Sequence, residues 1–238
     1  MLIILSQFSY GAETKMVRVL SYYEIVPFKI TDTQGLSFDL IAQLNAASPP
    51  SLQFTLQHLP RNRINNALTS DEGLIVLLVN PAWFGDKEKT RYFWSESLFQ
   101  DGNDVVSLIT NPISYTGIES LKGKKMGALL GRKYGLIDKA VEDGDILRED
   151  VNDLGRNLRK LNAGYIDFTI LSRTWSAYLI NSQFLHGKFK RSPFKDFTRH
   201  LLMSHSLKPH VKFITDWVNS LNHSEQWQLT LKKYGIKQ

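Results

Sequence analysis

Polar and apolar residues alternate most cleanly at Leu52–His58, where Leu52, Phe54, Leu56 and His58 interleave with Gln53, Thr55 and Gln57. That is the period-two signature of a half-buried strand. The first half of the chain repeats one rhythm around it. Residues 16–22 read as a first strand, and a helix entered at Gly35 turns Phe38, Ile41 and Leu44 inward before Pro49 and Pro50 end it. Ile64, Ala67 and Leu68 place a helix over Arg61–Thr69, and the unbroken apolar run Leu74–Val79 suits a strand buried on both faces. Strand, helix, strand, helix, strand in this order means a parallel sheet.

The second half repeats the rhythm. Residues 125–128 form a short strand that runs into a glycine-flanked turn at 131–135, and Leu136, Ile137, Ala140 and Val141 share a helical face after it. A helix over 153–163 buries Leu154, Leu158 and Leu161, with Asp153 as its cap and Gly164 as its left-handed stop. The apolar run 168–171 is a second buried strand, and a third helix carries Trp175, Tyr178 and Leu179. Parallel sheets place ligands at the carboxyl ends of their strands. Here those ends are residues 129–134 and 172–175. Arg132 and Lys133 sit at the start of a helix, where unpaired N–H groups can seat an anion; solvated loop cations are the alternative reading.

Residues 105–110 and 198–204 are expected as an outgoing and a returning crossover strand, a paired hinge. Beyond the return, residues 209–222 form an amphipathic helix with Val211, Ile214, Trp217, Val218 and Leu221 on one side. Ser224 caps a last helix that ends near Gly235, and both helices are expected to pack back on the first lobe.

Composition narrows the chemistry more than the fold. The 238 residues are 42% hydrophobic and 22% charged, an ordinary soluble balance, and the net charge of +6 fits an anionic ligand only weakly. The absence of cysteine excludes disulfides, thiolate metal sites, a cysteine nucleophile and a lipid-modified N-terminal cysteine. Residues 1–15 read as the tail of a truncated secretory signal, or merely as an apolar N-terminus. His200, His205 and His210 recur every five residues, which aligns no metal site and reads as surface histidines. Gly127 to Lys133 falls one residue short of a phosphate-binding loop and lacks the following Ser or Thr. Lys188, Lys190, Arg191 and Lys195, with Phe189 and Phe194 interleaved, read as a solvated loop rather than a nucleic-acid surface.

The segment SLKGKKMGALLGRKYG followed by LNAGYIDFTILS resembles the second lobe of the family 3 solute-binding proteins, periplasmic receptors of amino-acid ABC importers. The first half resembles them too. An aromatic loop from Tyr22 ends in Pro27-Phe28, Gly35 precedes Asp39-Leu40, Pro60 precedes Arg63, and Trp94-Ser95 precedes Phe99. The resemblance implies an α/β fold of the type 2 periplasmic binding protein class: two lobes, each a mostly parallel sheet flanked by helices, joined by two hinge crossovers. Lobe 1 would comprise residues 16–108 with 205–238, and lobe 2 residues 109–204.

The implied function is capture of a small polar or anionic, amino-acid-like solute in the interlobe cleft. The protein would be a monomer in the periplasm, without cofactor or nucleic acid, handing its cargo to an ABC permease or a membrane sensor. Tyr23, Trp83 and Arg91 on one lobe, with Arg132, Tyr134, Ser172 and Trp175 on the other, are the expected contacts; Phe28 is expected in the core. Two positions depart from the family's pattern. Glu88 occupies the register of the carboxylate-gripping arginine, leaving Arg91 as a substitute or as a solvated surface arginine, and Ser172 stands where an ammonium-binding aspartate is expected. The alternative is an enzyme on the same scaffold, resembling cyclohexadienyl dehydratases, with Glu24 or Glu88 as general acid. A sensory module is a third reading.

Overall fold

A computed structural model of the chain describes residues 14–182 and 187–237; the expected signal segment falls almost wholly on residues 1–13, outside the described residues. In the first lobe β1 (Lys15–Ser21) lies between β2 (Leu52–His58) and β3 (Leu74–Val79), all parallel, with α1 (Leu36–Ala47) and α2 (Arg61–Thr69) as crossovers. Gly35 opens α1 at φ 140°, and a Cβ there would sit within 3 Å of the Phe28 carbonyl, so only glycine lets the aromatic loop lie this close. Alternate residues of β3 serve two cores. Ile75 and Leu77 join α1 and the C-terminal helices α6 (Lys208–Asn222) and α7 (Glu225–Lys233), while Leu74 and Val76 pack on Ile64 and Leu68 of α2.

The second lobe repeats the plan. Strand β6 (Lys125–Leu129) is flanked in parallel by β7 (Leu147–Val151) and β8 (Phe168–Ser172), with α3 (Leu136–Glu142), α4 (Leu154–Asn162) and α5 (Arg173–Ser182) around the sheet. Asp153 accepts from the Gly155 and Arg156 N–H groups as the cap of α4. Ile137 and Ala140 are buried on α3, but Leu136 is exposed, so the helical face is narrower than its sequence suggests.

Two strands join the halves. β5 (Phe99–Leu108) runs antiparallel to β8 and to the first part of β9 (Phe189–Met203). The end of β9 then pairs with β3 and with the two-residue β4 (Phe93–Trp94). Hydrogen bonding is therefore continuous from β2 to β7, because one 15-residue strand belongs to both lobes. The outgoing strand starts at Phe99 rather than at residue 105, and from Asn103 onward it pairs with the second lobe's β8. The basic stretch expected as a loop is the first part of β9. Its Pro193 sits where the pairing slips by a residue beside Asn103 and Asp104, a position that asks no ladder N–H of it.

Candidate functional site

The aromatic loop after β1 and the turn after β3 deliver Tyr22, Tyr23, Phe28 and Trp83 to the face of lobe 1 that meets lobe 2. Opposite them stand Arg132 beyond β6, Ser172 at the end of β8 and Trp175 in the first turn of α5. These side chains, with Asn103 of β5 and Arg199 of β9, line one cavity of about 240 Å3 between the lobes. Five of the seven expected contacts, Tyr23, Trp83, Arg132, Ser172 and Trp175, thus meet in one place. Phe28, expected in the core, is both fully buried and part of the cavity wall.

Arg91 and Tyr134 do not line it. Asp86 is buried and accepts from the backbone N–H groups of Thr90, Arg91 and Tyr92 and from Trp94 Nε1 at 2.7–3.0 Å. Burial alone would raise its pKa, but these four donors outweigh it and hold the carboxyl below its usual value. Wrapping the loop around this carboxylate sends Arg91 over the Tyr92 ring, into a depression on lobe 1 shared with Arg61 and Asn65. Tyr134 is a core residue whose hydroxyl accepts from the Leu129 N–H at 3.0 Å.

The expected anion seat at the start of α3 is likewise taken from within: Asp138 accepts from the Tyr134 N–H at 2.6 Å and pairs with Arg148 at 3.0 Å. Arg173 turns away from the cavity to Asp104 and Asp196. His200, expected at the surface, is buried against the Ser95 carbonyl, and burial lowers its pKa. Among the described residues, no group of three or more metal-ligating side chains occurs.

The central residue of the cavity is one the sequence reading passed over. Arg199 is 2% exposed, and its Nε and Nη2 donate to Asp101 Oδ2 at 2.9 and 2.6 Å. Its Nη1 donates to the Tyr23 hydroxyl at 2.6 Å and to the Leu78 carbonyl at 2.8 Å. Four rings surround the guanidinium, with Phe28, Tyr23, Phe197 and Trp83 at 4.8–5.3 Å from its carbon. Burial works against the charge, yet Tyr23 and Asp101 outweigh it and hold the pKa above the ordinary arginine value. Leu78 adopts φ 57° to turn its carbonyl toward this arginine, the kind of strain that persists only when surroundings impose it. Asp101 in turn accepts from the Thr174 N–H at 3.1 Å, so the pair ties the start of α5 to both strand ends of lobe 1.

The chain has the two-lobed α/β fold of the periplasmic binding proteins. No protein-family model and no curated protein sequence matches it. Solved structures do. An ancestral arginine-binding protein bound to arginine superposes with a TM-score of 0.67 at 16% identity, over 92% of this chain and 97% of that one. The ligand-binding core of GluR0 from Nostoc punctiforme in complex with L-glutamate gives 0.67 at 13% identity, over 92% and 98%. The ancestral amino-acid-binding protein AncCDT-1, described as a precursor of cyclohexadienyl dehydratase, gives 0.66 at 14% identity, over 92% and 95%.

Proposed function

We propose that this protein is a periplasmic solute-binding protein, which captures a small polar or anionic solute between its lobes and presents the closed form to an ABC importer. The observation that carries this reading is a cavity lined from both lobes and from the two strands that join them. A solute there contacts both halves at once and so favours the closed arrangement over the open one by its differential contacts. Tyr23, Trp83, Arg132, Ser172 and Trp175 are the proposed contacts, with Asn103 and Tyr22 added by the geometry. The amino-acid ligands of two of the superposed proteins support a solute of similar size.

The enzyme alternative asks for a carboxylic acid in the cavity. Glu24 is exposed and paired with Lys29 at 2.7 Å, Glu88 is exposed on the Asp86 loop, and neither lines it. This favours binding over elimination of water. The test is a thermal-shift screen of amino acids, small carboxylates and oligopeptides. A compound that binds only the folded state stabilises it by about 2.7 kcal/mol at a hundredfold excess over Kd. The reading expects at least one stabilising compound whose effect is lost in Arg132→Gln. A hit indifferent to that change and to Trp175→Ala contradicts the proposed site.

A further inference from the structure

Three polar side chains left over in the cavity can donate inward. Arg132 lines it and makes no ion pair among the described residues; its guanidinium only rests over the Tyr134 ring. Asn103 presents a carboxamide with no protein partner among the described residues. Arg199 donates to the Tyr23 oxygen, and Tyr23 then donates to Tyr22 at 3.0 Å, which leaves the Tyr22 hydroxyl proton free to donate onward.

Acceptors are scarce by contrast. No Asp or Glu is among the cavity-lining residues. Asp101, the carboxylate that the cavity's Ser172 hydroxyl reaches at 3.4 Å, spends one oxygen on Arg199 and Ser172 and the other on the Gly102 and Thr174 N–H groups. An ammonium group entering here would meet the unpaired Arg132 guanidinium, while the Asp101 carboxylate is already committed to Arg199. A carboxylate would meet a free guanidinium. Beside the cavity, sharing Ile25 and Trp175 as a common wall, lies a second hollow of about 520 Å3, with Val26, Leu158, Leu179 and Phe189 as its apolar side and Asp153, Arg159 and Asn162 as its polar side.

We propose that the cleft selects a monocarboxylate with a flat apolar body and discriminates against the zwitterionic amino acid of the same shape. This deepens the solute-binding reading and rests on it. Arg132, Asn103 and the Tyr22 hydroxyl hold the carboxylate, the aromatic walls hold the body, and the neighbouring hollow leaves room for a longer apolar end. Arg199 is a positioning residue, which fixes the tyrosine donors; its own charge is balanced by Asp101, so the net positive field that repels an ammonium comes from Arg132.

Isothermal titration with three compounds tests this: 3-phenylpropionate, L-phenylalanine, which adds the α-ammonium, and phenethylamine, which lacks the carboxylate. The expected order is 3-phenylpropionate at least tenfold tighter than L-phenylalanine, with phenethylamine not bound. Arg132→Gln should weaken 3-phenylpropionate at least tenfold and Arg132→Lys less. Asn103→Asp, nearly isosteric, should weaken it and narrow the preference over L-phenylalanine. Thermal denaturation without ligand checks that each variant is folded. L-Phenylalanine binding as tightly as 3-phenylpropionate overturns the selectivity while leaving solute binding intact. If all three fail while polar amino acids bind, the substrate class is wrong. If the full screen yields no ligand, the solute-binding reading fails with it.

Discussion

Arg199 carries more of the account than any other single residue, and its energetics are lopsided. The ion pair with Asp101 is almost fully buried, so desolvation cancels much of the attraction. Removing one partner alone strands the other charge. Arg199→Met should therefore cost about 3–5 kcal/mol in denaturant unfolding, and the double variant Arg199→Met with Asp101→Asn, which removes the stranded charge but keeps an acceptor for the Gly102 and Thr174 N–H groups, should recover part of it. A loss below about 1 kcal/mol for Arg199→Met would mean that Asp101 is not held as described. The sequence hid this pair because FTRHLLM reads as an apolar strand with incidental charges and FQDGNDVV as a polar approach to one. The usable signal was a carboxylate and an arginine each inside a segment otherwise destined for burial. Arg91 misled for the opposite reason. It stood near the expected register, and nothing in one dimension reveals that Asp86 gathers the loop's N–H groups and turns Arg91 outward.

Elements were legible where one periodicity ruled. Leu52–His58, Arg61–Thr69 and Leu74–Val79 lie where the alternation, the helical stripe and the apolar run put them. The capped helix α4 and the last helix α7, whose Ser224 accepts from the Trp227 N–H, follow from cap chemistry that is equally local. β7 was missed because LREDV is an edge strand of mixed charge, none of its residues fully buried, which pairs through its backbone with β6 alone. β9 was half missed because its first part is basic and interrupted by Pro193; only its pairing with β5 makes it a strand.

Packing between elements is equally invisible in one dimension. A Cβ on Gly127 of β6 would lie within 3 Å of Ile166 and of the buried Asn157 carboxamide on α4. Gly127→Ala should cost about 1–3 kcal/mol by overpacking. Urea denaturation measures it, and an unchanged midpoint would show that α4 rides farther from the sheet than described.

For the whole molecule, the decisive feature is that lobes with separate cores are joined by two strands, β5 and β9, that run through both. The cores of lobe 1 lie on the two faces of the first sheet and those of lobe 2 on the two faces of the second. Among the described residues, Val26 packs on the second lobe's cluster and Tyr178 on the first lobe's. A continuous strand through the junction bends more readily than two packed cores compress, so a solute in the cavity can draw the halves together without disturbing either. The chain contains no cysteine, so spin labels attached through cysteines introduced at Glu24 and Asn152 report on one distance across the cleft mouth. The measurement is that distance before and after adding whichever solute raises the melting temperature. The account predicts a shortening that saturates with binding and vanishes in Arg132→Gln; a bound solute that leaves the distance unchanged would contradict it.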